Sequence, residues 1–152
     1  MLARNVTTLA AAAPTGTRFA VHLCVGDQDH RALVTPSDVT PLVLLANEIV
    51  EQWPTTNPLV LLHAPLAAAD QPASTEASFI APLRYLRVPA DTAFAAGFAH
   101  EAQALSDQVQ IRNRTEDLLG REVVVAAACG LGRRSDADGS AVLERMAQLC
   151  VA

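Results

Sequence analysis

The side chains best suited to hold a metal or act as nucleophiles recur at one kind of position in this chain of 152 residues. His22 and Cys24 close an apolar run at 18–25 (RFAVHLCV), and His63 closes a second at 59–63 (LVLLH). His100 follows a third run at 93–99 (AFAAGFA), and Cys129 follows a fourth at 123–128 (VVVAAA). His30, in the polar loop GDQDHRALVTP, is the only histidine placed elsewhere. Side chains two apart on a strand point the same way, so His22 and Cys24 share a face. One imidazole with two thiolates is a familiar zinc set whose fourth position stays open for substrate. Zinc there would act as a Lewis acid and let a bound thiol exist as the attacking thiolate at neutral pH. Packing competes with this chemistry at every position: cysteine is among the most buried residues, and His63 and His100 suit satisfied strand-end histidines equally well. Cys150, at core spacing near the end of the last helix, is expected only to pack.

The segment Cys129-Gly130-Leu131-Gly132-Arg133-Arg134 is the second feature with chemical potential. Its glycines permit tight turning between strand and helix, and free N–H groups beside two Arg suit a carboxylate or phosphate. The plain alternative is a solvated Arg pair on an ordinary loop. The segment lacks the Lys-Ser/Thr end of a P-loop and the third glycine of a dinucleotide fingerprint. Asp27 and Asp29 are expected either to support the site from its periphery or to serve as turn residues. No G-x-S-x-G element points to a serine hydrolase.

The elements that must position these groups follow from hydrophobic patterning. An Ala-rich helix is expected at about 2–13, too short and too weakly apolar in its centre for a signal peptide. The four apolar runs read as buried strands. Helices are expected from Ser37 or Asp38 to about Trp53, around 78–86, from Ser106 to Gly120, and from about Ala137 to Cys150. Pro54 stops the first of these, Gly120 ends the third, and Ser135 with Asp138 forms a capping box for the last. Four β–α units in series make an α/β domain spanning 1–152, with a parallel sheet covered by helices. Four strands do not close a (β/α)8 barrel of about 250 residues. They fit half of such a barrel or a small open sheet, and a half-barrel exposes two edges and an apolar inner face.

Composition narrows the function further. Apolar types reach 51% against 18% charged, enough to bury a core. All eleven basic residues are Arg, and sixteen acids bring the formal charge to -5. No basic stripe is available for nucleic acid or for a polybasic membrane anchor. No apolar run reaches the roughly 18 residues of a membrane span. An odd, small number of cysteines argues against a disulfide scaffold and for a reducing cytoplasm.

V-H-L-C-V-G-D at 21–27, L-L-H-A-P at 61–65, A-G-F-A-H at 96–100 and A-A-C-G-L-G-R-R at 127–134 occur in that order. Together, from about Arg18 to Leu149, they resemble the C-terminal half of the catalytic barrel in the cobalamin-independent methionine synthase family, and its single-barrel bacterial relatives of unassigned activity in particular. The resemblance implies a (β/α)8 fold in which zinc, held by one His, two Cys and a Glu, activates a thiol that takes a methyl group from a methyl-folate. Related thiol alkyltransferases are implied as well. By motif, His22 and Cys24 match the H-x-C ligands and Cys129 the late cysteine. The family Glu is expected near the end of strand two, where this chain has Leu61-Leu62-His63, so His63 is the candidate for the fourth ligand. Val25 stands where an aromatic residue is expected.

The family's first four β–α units have no counterpart here. The expected partners are therefore a small-molecule thiol, a methyl donor, and either a second copy or a separate N-terminal half-barrel chain. A truncated, non-catalytic barrel fragment acting in assembly is the alternative, and a small flavodoxin-like domain binding an anion at 130–134 is another.

Overall fold

A computed structural model describes residues 1–29, 31–68 and 70–152. The elements are α1 (Leu2–Ala12), β1 (Phe19–His22), β2 (Asp27–Gln28), β3 (Arg31–Ala32), α2 (Thr40–Glu51), β4 (Leu59–Pro65), α3 (Ala77–Ile80) with a 3-10 turn at Ala81–Tyr85, β5 (Ala93–Ala99), α4 (Leu105–Leu119), β6 (Val124–Ala127) and α5 (Asp136–Leu149). Among the described residues no helix is long and apolar enough to cross a membrane.

The main sheet is parallel, in the order β1-β4-β5-β6. Each crossover advances by one strand in the same direction. Right-handed crossovers therefore bring α2, α3 and α4 to one face of the sheet. The core lies there: Leu62 of β4 and Phe94, Ala96 and Phe98 of β5 cluster with Ile49 of α2, Ile111 of α4 and Leu149 of α5. The order has no reversal, so it lacks the crevice at which a doubly wound sheet of the flavodoxin type binds its ligand.

The opposite face carries the alternate residues, among them Ala20 and His22 of β1, His63 of β4, Gly97 of β5, and Val124 and Ala126 of β6. Ala20 and His22 are exposed, and Val124 is 46% exposed. Ala95 and Gly97 of the central β5 are buried on this face and α5 borders it through Leu143 and Met146, while β1 and β6 leave both edges of the sheet unpaired among the described residues.

Several boundaries differ from expectation. The first strand ends at His22 rather than 25; Leu23 N–H still bonds His63 O at 2.8 Å, and Gly26 then turns the chain at φ 84°. The loop expected at 26–36 contains a short antiparallel hairpin, Asp27–Gln28 against Arg31–Ala32. Asp29, following Gln28, adopts φ 50°, a conformation Asp tolerates better than most residues. His30 lies outside the described residues. Helix α2 begins at Thr40 with Val39 at its N-cap; Asp38 accepts the Thr40 N–H at 2.7 Å from just outside the helix. Gly120 ends α4 at φ 64° in the left-handed region. Ser135 caps α5, its hydroxyl accepting the Asp138 N–H at 3.1 Å and donating to the Asp138 carboxylate at 2.6 Å. Cys150 does not pack. It is exposed just beyond α5 because Val142 and Leu149, seven apart, hold that helix's buried stripe.

Candidate metal centre

Three of the expected donors converge. The ligand atoms of His22, Cys24 and Cys129 all lie within 4.8 Å of one another. They come from the end of β1, the coil after it and the coil after β6. The carboxyl ends of parallel strands are where such folds assemble their chemistry. Tetrahedral coordination at ordinary Zn–N and Zn–S lengths sets ligand atoms roughly 3.3–3.8 Å apart. The His22 Nε2 to Cys129 Sγ distance is 3.8 Å. A small inward movement of the remaining donors completes a coordination triangle. Cys24 and His22 are exposed and Cys129 half-buried, so the trio opens to solvent on one side. The Gly26 N–H donates to Cys24 Sγ at 3.3 Å, fixing the sulfur's rotamer.

His63 is not in this trio. It sits beside His22 in the β1–β4 register, with ring centroids 4.6 Å apart. Its Nδ1 lies 2.9 Å from Nδ1 of His22, and its Nε2 lies 3.0 Å from the Ala127 carbonyl. Both ring nitrogens are thus engaged by the protein, and neither is turned to the sulfurs. Desolvation, partial at the more exposed His22 and greater at half-buried His63, holds both imidazoles below their ordinary pKa. For His63 the neighbouring His22 adds to the depression and the Ala127 carbonyl partly opposes it. Both rings are therefore neutral at physiological pH, the form a metal requires.

Gly97 makes this arrangement fit, and it was not among the expected site residues. A Cβ there would meet His63 Nε2 at 2.7 Å and the Ala127 oxygen at 2.9 Å. Its signal was available, since a glycine inside a strand often marks a close approach.

The surrounding charges serve the chain itself. Arg133 pairs with Asp27 at 2.8 Å, and Arg134, with its side chain only 2% exposed, shares its Nε–H between both Glu101 carboxylate oxygens at 3.2 Å each. The two guanidiniums thus meet carboxylates of the chain rather than framing an open anion cradle. His100 is buried at the end of β5; its Nδ1 accepts the Ala102 N–H at 3.1 Å and lies 3.4 Å from Glu101. The fully buried Gln108 of α4 accepts the His100 N–H and donates to the His100 carbonyl, pinning the strand end to the helix. His100 is therefore a strand-end histidine and does not join the metal-ligating trio. Asp29 is a turn residue of the hairpin.

The open side of the trio is a hollow of about 390 Å³ lined by His22, His63, Ala126, Cys129, Leu143 and Met146. A second cavity, of about 320 Å³ and lined by none of the three donors, opens between the coil after β1 and the coil after β4. Its wall includes Val25, Val39, Leu42, Leu66 and Phe79, with Thr35, Ser37 and Gln71 supplying polar groups. No family model matches the chain, and no curated protein or solved structure is significantly similar to it.

Proposed function

We propose that the chain binds zinc through His22, Cys24 and Cys129 and serves in methyl or alkyl transfer to a small-molecule thiol, as one half of a (β/α)8-type barrel. The observation that carries this is the convergence of an imidazole and two thiols, 107 residues apart for His22 and Cys129, within 4.8 Å at the carboxyl ends of parallel strands. Nitrogen and two soft sulfurs select zinc over hard cations. The trio supplies three protein ligands and leaves a solvent-facing side, the pattern of a catalytic rather than a closed structural site. When bound, zinc supplies the Lewis acidity that lets a substrate thiol bind as its thiolate at neutral pH. The chain's own part is to orient that sulfur: the apolar hollow formed by Ala126, Leu143 and Met146 beside His22 and Cys129 receives the carbon skeleton, and the Arg133–Asp27 pair holds the two ligand loops at a fixed spacing.

The open sheet edges bear on the partner. An apolar face with two open parallel edges is a liability in a lone domain. We infer that a second copy, or a chain carrying the complementary half, pairs with these edges and completes the barrel. A non-catalytic assembly role shares this face but makes no use of the trio. Three free thiols suit a reducing compartment such as the cytoplasm.

Metal analysis of protein purified without chelator tests the proposal. About one zinc per chain, lost in Cys129→Ala with the fold retained, supports it. A folded, metal-free protein that takes up no zinc on titration overturns it and leaves the assembly role. Light scattering on the same samples reports the association.

A further inference from the structure

We propose that His63 is a positioning residue that fixes the tautomer of His22, so that His22 presents Nε2, and not Nδ1, to the ion. This rests on the trio being a metal site, but its basis is a hydrogen-bond chain present without any ion. A carbonyl oxygen only accepts, so the 3.0 Å contact to Ala127 places a proton on His63 Nε2. A neutral imidazole carries one N–H, so His63 Nδ1 is a bare acceptor. The 2.9 Å contact between the two Nδ1 atoms then requires the proton to sit on His22 Nδ1. His22 Nε2 is left with its lone pair, and that is the nitrogen 3.8 Å from Cys129 Sγ.

Metal-bound histidines commonly donate their second N–H to a carboxylate, carbonyl or water, which orients the ring and raises its basicity. Here the acceptor is another imidazole, itself anchored by a backbone carbonyl. The anchor depends on two backbone features. The β5–β6 ladder shifts register between Gly97 and Ala99. The Ala127 oxygen lies just above Gly97, where the missing side chain leaves room for the His63 ring. His63 therefore acts through His22 and does not itself touch the ion.

The decisive measurement is a long-range ¹H–¹⁵N correlation spectrum of the metal-free, full-length chain at about pH 8, where both rings are neutral. The expected pattern is His22 protonated on Nδ1 and His63 on Nε2. Finding His22 protonated on Nε2 overturns the proposal, whatever the protein does with zinc. In His63→Phe, His22 is expected to revert to the Nε2–H form, and zinc affinity in competition with a chromophoric chelator falls about 10–100-fold. His63→Gln keeps an acceptor and a donor on one planar group and recovers most of that loss. Unchanged zinc affinity in His63→Phe also overturns the proposal. If His63→Phe does not fold, the wild-type spectrum alone decides. If the wild-type protein takes up no zinc, the proposed function fails while the tautomer pattern still tests the relay.

Discussion

Arg133 donates to the Asp27 carboxylate at 2.8 Å and thereby ties the loop after β6 to the hairpin that follows Cys24. The pair links the backbone segments that carry Cys129 and Cys24. Arg133 is more than half exposed, so the ion pair itself contributes at most about 1 kcal/mol to stability. Its larger effect falls on loop spacing. Asp27→Asn is expected to leave the unfolding midpoint nearly unchanged while weakening zinc binding, by up to about tenfold as for other groups that orient ligands. Parallel denaturation and chelator competition separate the two effects.

Cys24 and Cys129 contribute unequally to the apo fold. Cys24 is exposed and Cys129 half-buried beside Ala128. Cys24→Ser and Cys129→Ala are each expected to lose zinc, because two ligands rarely retain the ion at neutral pH. Cys24→Ser costs the metal-free protein less than about 0.5 kcal/mol, as exposed substitutions usually do. Circular dichroism melts without metal, together with atomic absorption on the purified variants, check both statements.

Acid weakens this protein in a defined window. His22 and His63 titrate below the ordinary histidine value of 6.5 when folded. As pH falls through that value, the unfolded chain takes up protons that the folded chain does not, so stability declines. The decline levels off only once pH has passed below the depressed folded-state values. Above about pH 7.5 the two rings contribute no slope. Denaturant titrations of the metal-free protein from pH 8 to 5 are expected to show this slope, and the His22→Gln, His63→Gln double variant is expected to flatten it.

Gly97→Ala tests the crowding over β5. The added methyl overlaps His63 Nε2 and the Ala127 oxygen, both under 3 Å away, and one neighbour is main chain. Destabilisation of about 1–3 kcal/mol is expected, as for overpacking elsewhere. The His22 tautomer is expected to be lost with it. A variant as stable as the parent would show that His63 moves aside at little cost.

Val124 reports on the open face. It is 46% exposed on the edge strand β6, opposite the helices. Val124→Glu is expected to shift an assembled species to single chains in sedimentation velocity runs while the chain's own core stays folded. A wild-type protein that already sediments as a single chain would remove the case for a second copy and leave only a separate complementary chain as the mate.

The strands carrying the trio were legible because each apolar run ended in a soft donor, a pattern tied directly to side-chain type. The run at 93–99 corresponds residue for residue to β5, and small residues there let a central strand bury nearly every position. The hairpin at Asp27–Ala32 was not legible, since its two residue pairs carry no alternating apolar signal. Nor was the role of His63. That depends on which way the Ala127 carbonyl turns at a register shift, and no side-chain pattern announces a backbone rotation. Cys150 was misread because one residue is a 100° step around a helix, enough to move a side chain from the core to solvent.

The one-directional order of the strands has an implication for whoever shares the rims of this sheet. A polypeptide that docks in parallel beside β1 or β6 brings the ends of its own strands, with the loops that follow them, to the same end of the sheet as Cys24 and Cys129. A mate recruited merely to hide grease would thus border the candidate metal centre as well, able to change what reaches it without altering a single donor atom in this chain.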